Sequence, residues 1–138
     1  MLLTNSQMHA YMDTLQTLMD NKGILGYAIL KNYNTFKDAC KEYLQIYQNA
    51  LVAYGDKTTE ETDAGTQEYM SISPASEHIE EFVAEMEPVS NVMQDVQIYT
   101  VGYSKAMDVL SASEMQSISF MLEDDLMTIN NVSETERE

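Results

Sequence analysis

Eight residues of the chain, Ile29, Tyr33, Phe36, Cys40, Tyr43, Tyr47, Ala50 and Tyr54, follow one another at alternating four- and three-residue steps. An apolar repeat of seven held for almost four cycles, with no proline or glycine inside it, is the pattern of a helix with one buried seam. It predicts a helix over residues 25–54, rising roughly 45 Å at 1.5 Å per residue. So long a helix needs another beside it. Thr4 or Asn5 is placed to cap a first helix in which Met8, Tyr11, Met12, Leu15 and Met19 recur at three- and four-residue steps. Asn21-Lys22-Gly23 ends it, Gly23 suiting the left-handed turn after a helix. The seam is aromatic rather than leucine-rich, so the expected arrangement is an antiparallel hairpin of the two helices with the distal part of the longer arm exposed, not a parallel zipper.

Beyond Gly55 the character changes. Residues 56–67 are polar and read as a mobile acidic loop, followed by a short strand over residues 68–73. Ser73 and Pro74 supply the cap and first-turn proline of a third helix whose buried stripe is Ile79, Phe82, Val83 and Met86, and which Pro88 stops. Residues 96–101, Val-Gln-Ile-Tyr-Thr-Val, are the best strand former in the chain. Ser111-Ala112-Ser113-Glu114 has the capping-box pattern and opens a last helix with Met115, Ile118, Leu122 and Met121 inward. The expected fold is mainly α with a minor β part: a long antiparallel helical hairpin, two shorter helices and a small two-stranded β element. The divisions are 1–55 for the hairpin, 56–73 for the acidic loop and short strand, 74–129 for an acidic helix–strand–helix part of the same domain, and 130–138 for a flexible tail.

Charge narrows the function. Five lysines balance five carboxylates over residues 1–57, whereas residues 58–138 hold eighteen carboxylates against Lys105 and Arg137, which is the whole net charge of −16. Such a surface repels DNA, RNA and anionic lipid and attracts basic proteins. Direct nucleic-acid binding is further opposed by the supply of only seven lysines and arginines, and Lys31, Lys37 and Lys41 interleave with Asp38 and Glu42 as helix-stabilising pairs. No run of about 18 apolar residues is present to cross a bilayer, and the basic start of a secretory signal is absent, so a cytosolic setting is expected. The single cysteine, Cys40, rules out an intramolecular disulfide and suits a reducing compartment.

Chemistry finds little footing. His9 and His78 are the only side chains with a near-neutral proton affinity, and neither stands beside a nucleophile in a recognisable pattern. Cys40 lies on the apolar seam as a buried thiol. No Gly-rich phosphate loop or nucleophile elbow occurs. His78 and Glu81, with Glu77 and Glu85 nearby, make two helix ligands where zinc needs four, and aligning Gly65 with the invariant glycine of a calcium loop puts Thr62 and Ala64 at ligand positions. No enzyme activity, cofactor or metal is expected.

The Leu3-Thr4-Asn5 start, the Gly23-Ile24-Leu25-Gly26 link, Tyr27-Ala28-Ile29-Leu30-Lys31-Asn32, the helix end Ala53-Tyr54-Gly55-Asp56-Lys57, and Leu110-Ser111 leading to Phe120-Met121-Leu122-Glu123 follow one another in an order that resembles a family of small proteins from tailed phages and prophages of Gram-positive bacteria. Leu25-Gly26 stands where that family commonly has Leu-Pro, and the long helix is poorer in lysine and arginine. The resemblance implies a viral origin and a non-enzymatic accessory role. Combined with the charge, it leads to the expectation of an inhibitor of a host nucleic-acid-handling or defence complex, of anti-CRISPR or anti-restriction type. Such a protein would act in the host cytoplasm by binding a basic protein, a nuclease or RNA-guided effector, with Glu77, Glu80, Glu81, Glu85 and Glu87 standing in for phosphates. The alternative expectation is a virion or assembly protein that homo-oligomerises through Tyr43, Tyr47 and Tyr54.

Overall fold

The long helix is broken at Cys40. A computed structural model describes residues 1–125. In it α1 (Asn5–Gln16) is followed by α2 (Gly23–Ala39) and then, after one residue, by α3 (Lys41–Tyr54). Cys40 takes φ −98° and ψ 8°, between helical and extended backbone. The physical reason lies in what the seam packs against. Asn5 approaches Cys40 and the Tyr11 ring lies 6.0 Å from that of Phe36, so α1 and α2 run antiparallel. Past the break the Tyr47 ring meets Phe82, 5.7 Å away on α4 (Ile79–Ser90). The bend lets α3 reach α4 while Tyr43 and Tyr47 still touch His9 of α1. The expected mainly α fold with one long helical hairpin is therefore corrected.

The break is held by side chains that the repeat does not contain. At its N-terminal end α1 abuts β1 (Leu2–Thr4), which pairs antiparallel with β4 (Met93–Asp95), so that Leu3 lies opposite Gln94. Gln94 donates from Nε2 to the Ala39 carbonyl at 2.8 Å and to Asn5 Oδ1 at 2.7 Å. Asn5, itself buried, donates from Nδ2 to the Val89 carbonyl at 2.9 Å and from its backbone N–H to Val92 at 3.0 Å, while the Cys40 thiol lies 3.8 Å from its Oδ1. Four segments meet on one amide. Thr4 is the cap of α1, in a capping box with Gln7.

Strands also replace what reads as loop. The residues expected to form a mobile acidic loop make β2 (Asp56–Thr62), which pairs antiparallel with β3 (Gly65–Ser71) from Asp56 opposite Ser71 to Thr62 opposite Gly65. The threonines at 58, 59, 62 and 66 are β-branched and favour extended backbone, and Gly65 takes the turn-closing φ of +115°. Conversely, residues 96–100 form no strand; β5 is only Val101–Gly102 and pairs in parallel with β6 (Leu122–Glu123). Asn32 explains this: its buried amide accepts from the Tyr99 N–H at 2.8 Å and donates to the Tyr99 carbonyl at 2.9 Å, doing with one side chain what a neighbouring strand would do. Among the described residues three two-stranded sheets thus stand where one two-stranded element was expected.

The third expected helix starts later than its Ser73-Pro74 signal, at Ile79, and runs through Pro88 to Ser90; Val83 is half-exposed and outside its buried stripe. The Ser111–Glu114 capping box opens α5 (Ala112–Ser117), a short helix followed by a tight turn at Ser119–Met121. Met115, Ile118 and Met121 are buried and Leu122 half-buried, and Phe120 stacks on Tyr11 at 4.1 Å. The expected tail over residues 130–138 lies outside the described residues, but the last helix, expected to carry Leu122 on its inner face, ends at Ser117, and Leu122 belongs to β6.

Replacing Asn5 by alanine removes three side-chain partnerships and leaves the Gln94 amide and Val89 carbonyl short of a partner. We expect a loss of about 3 kcal/mol in urea unfolding. Asn5→Asp, which keeps the shape but loses the donor to Val89, is expected to fall in between.

Two carboxylates make the fold sensitive to acid. Asp125 is held below its ordinary value by the Ser104 hydroxyl and then the Ser104 backbone N–H, with Lys105 adding to the effect; Glu114 is held down by the backbone N–H and hydroxyl of Ser111. A depressed folded-state pKa stabilises fully above the ordinary carboxylate range and is lost as pH falls through the lowered value. The double variant Glu114→Gln, Asp125→Asn is expected to be less stable at neutral pH and to lose less on acidification than the wild type, read from urea midpoints across the acid limb.

Candidate interaction surface

Seen from its residues, α4 is acidic on two sides rather than one. At about 100° per residue, Glu80 and Glu87 fall within about 20° of each other, and Glu81 and Glu85 form a second line well over a quarter-turn away. All four are exposed, as is Glu77, which precedes the helix. Phe82 and Met86 are the buried residues of the helix. The five glutamates are therefore not a single row, and α4 alone gives no continuous line of charge.

The β2–β3 hairpin supplies what α4 lacks. It leaves α3 at Gly55, where any side chain would collide with main-chain oxygens: a Cβ would lie 2.5 Å from the Leu51 carbonyl and 2.8 Å from that of Ser71. Its base is tied by Thr58 to Ser71 (2.8 Å between hydroxyls) and by Ser76, whose hydroxyl donates to Asp56 at 2.6 Å. From that base the strands reach about 20 Å. Residues 59–69 are all exposed, and Lys57 pairs with Glu68 at 3.0 Å. The base of the hairpin joins the C-terminal end of α3 to the segment that enters α4, so Glu60, Glu61 and Asp63 stand at the far end of the strands from Glu77, Glu80 and Glu81. Residues 56–87 hold ten carboxylates against Lys57, a net of −9. Sequence reading placed the tip carboxylates in a loop; the alternation of threonines around Asp63-Ala64-Gly65 was the available signal.

The tyrosines offered as an apolar surface are turned inward. Tyr43 is buried, with Tyr47 and Tyr54 half-buried. His9 stands edge-on to Tyr43 at 5.7 Å and to Tyr47 at 4.7 Å, and burial raises both phenols. Tyr54 lies against α4, where the charge of Glu85 and a hydrogen bond to it push the phenol up. Their seam is the α3–α4 contact. His78 lies 3.7 Å from Glu81 and 3.9 Å from Glu77, and among the described residues no group of three His, Cys, Asp or Glu is arranged to hold a metal ion. Cys40 is buried, and burial raises its thiol. Among the described residues no helix is long and apolar enough to cross a membrane. Comparison of the chain with protein-family models, with curated proteins and with solved structures finds no match.

Removing the charge beside Tyr54 tests the α3–α4 packing directly. In Glu85→Gln the Tyr54 phenol is expected to titrate at lower pH than in the wild type, followed by carbon NMR of labelled tyrosine. An unchanged titration would mean that Glu85 does not face it.

Proposed function

We propose that this protein is an acidic viral accessory protein that works by binding a basic protein of the host, a nuclease or RNA-guided effector, and occupying the channel where nucleic acid would lie. One observation carries the reading: two adjoining ordered elements, the hairpin (Glu60, Glu61, Asp63) and the start of α4 (Glu77, Glu80, Glu81), carry exposed carboxylates with no lysine or arginine between residues 60 and 87. Duplex DNA presents a charge about every 1.7 Å, so a stand-in for it needs many carboxylates on ordered elements. A paired hairpin joined to a helix provides such elements, and it uses the whole acidic stretch rather than α4 alone. The order of motifs along the chain supports the phage setting. The alternative virion role through Tyr43, Tyr47 and Tyr54 draws less support from the packing, since Tyr43 is buried and Tyr47 and Tyr54 are half-buried.

Reversing Glu60, Glu61 and Glu81 to lysine changes exposed side chains and is expected to leave the melting temperature nearly unchanged. If each carboxylate makes a charge-assisted contact of roughly 1.5 to 3 kcal/mol, the three together account for more than about a hundredfold in affinity. The measurement is capture from host lysate at about 50 and about 500 mM salt, followed by elution with duplex DNA. The wild type should retain basic nucleic-acid-binding proteins at the lower salt and release them to DNA, and the triple variant should retain none. Equal capture by both proteins would refute the phosphate-mimic reading.

A further inference from the structure

Strand β2 has an open edge. It pairs with β3 on one side, in a sheet of two strands. The two-residue turn Asp63-Ala64 joins them, so the pair that closes it, Thr62 opposite Gly65, exchanges backbone hydrogen bonds, and bonded and unbonded pairs alternate from there to the base. Glu60 with Gln67 and Thr58 with Tyr69 are then bonded pairs. Lys57, Thr59 and Glu61 fall between them, exposed, and turn both their N–H and their C=O groups away from β3. Among the described residues no backbone group outside the hairpin bonds to them. Such an edge is a template for another strand, which natural sheets commonly block with a bulge, a proline or a covering helix. β2 has no bulge in its register and no proline. What it carries instead is charge.

That charge decides what the edge admits. Asp56, Glu60 and Glu61 lie on β2 and Asp63 at its turn, while the lysine of the strand, Lys57, is engaged by Glu68 of β3 at 3.0 Å. A second copy of the hairpin would bring its own excess of carboxylates to the edge, whereas a basic strand neutralises the excess already there. We propose that the β2 edge takes up, by antiparallel strand addition, an extended segment of the basic partner with lysine or arginine at two successive positions opposite Glu61 and Glu60. This rests on the proposed binding of a basic protein and adds how that protein is held. The backbone groups of Lys57, Thr59 and Glu61 bond the segment, and Glu60 and Glu61, being successive, lie on opposite faces of the sheet and call for a basic side chain on each. Phosphate mimicry by itself asks only for positive charge. Strand addition asks also for a peptide backbone whose N–H groups are free.

The probe is the end-blocked peptide Thr-Lys-Lys-Val-Thr-Val-Lys, which lies with its first residue opposite Thr62 and its last opposite Asp56, and the readout is the backbone amide NMR spectrum of the full chain. At about 1 mM the peptide is expected to shift the amide signals of Lys57, Thr59 and Glu61 and to slow their exchange with solvent. N-methylation of both valines removes two donors that face β2 and is expected to weaken binding by about tenfold or more, whereas N-methylation of the third and fifth residues, which face away, is expected to leave it within about twofold. All three peptides carry the same charge. Thr59→Pro removes an outward N–H of β2 without touching a bond to β3, and is expected to weaken the parent peptide to the same degree, with the amide signals of Gln67 and Tyr69 checking that the hairpin stays paired. Equal binding of the two methylated peptides, or no shift at the three β2 amides with the parent peptide, overturns strand addition. Capture of basic host proteins by Thr59→Pro at the wild-type level overturns it as well and leaves the phosphate-mimic reading standing. Failure of the wild type to capture any sinks that reading, and the methylated peptides still decide strand addition.

Discussion

Asn5 is the residue on which the architecture turns. Its amide and backbone N–H join the start of α1, the end of α4, the strand β4 and the bend at Cys40. A buried amide of this kind is costly unless every partner is in place, which makes it a register device as much as a source of stability. If α4 slid by a turn, the Val89 carbonyl would leave the Asn5 donor; if β4 slipped by one residue, Gln94 would point to the opposite face and the Ala39 carbonyl at the bend would lose its partner. Asn32 plays the same part for residues 96–100. Two asparagines thus fix irregular segments that apolar packing, being non-directional, leaves free to shift.

The legibility of the sequence follows from the range over which each signal acts. Both capping boxes, Thr4 with Gln7 and Ser111 with Glu114, are local chemistry; that of Ser111 was read from the spacing of its residues alone, and Thr4 was already a candidate cap. The stripes of Met8, Met12 and Leu15 and of Met115, Ile118 and Met121 were likewise visible, because helical period and burial agree. The bend at Cys40 was not. The seven-residue repeat continues through it unbroken, because both halves need the same spacing, and the contact that α3 adds with α4 depends on residues some forty positions away. Residues 96–101 failed in the opposite sense: their strand propensity is high, but a strand needs a neighbour, and what lies beside them is an asparagine side chain. Of the acidic surface, the exposure of the α4 glutamates was legible. Their split into two lines and the extension along the hairpin depend on helix geometry and strand pairing.

A two-stranded hairpin exposed on both faces is only marginally stable on its own. This one is tied at its root, through Gly55, Thr58, Ser71, Ser76 and Asp56, while its tip is crowded with carboxylates that repel one another. The Lys57–Glu68 pair is well exposed and contributes little. Stability at the base and repulsion at the tip pull in opposite directions, and an opposing charge brought against the tip would relieve the second without disturbing the first. The fold itself gains nothing from Glu60, Glu61 and Asp63.

The glutamates of α4 can be sorted by the same reasoning. Negative charge at a helix N-terminus is favoured by the peptide dipoles, so Glu77, Glu80 and Glu81 sit where the fold tolerates or rewards them. Glu85, further along, gains a hydrogen bond from Tyr54. Glu87 lies in the last turn, where the dipole disfavours it by about 0.3 to 1 kcal/mol, and it is exposed. No local energetic term of the fold accounts for a carboxylate there. Among the described residues Glu87 is left to water, and the side of α4 it shares with Glu80, Val83 and Ala84 is the one on which the fold places no packing of its own.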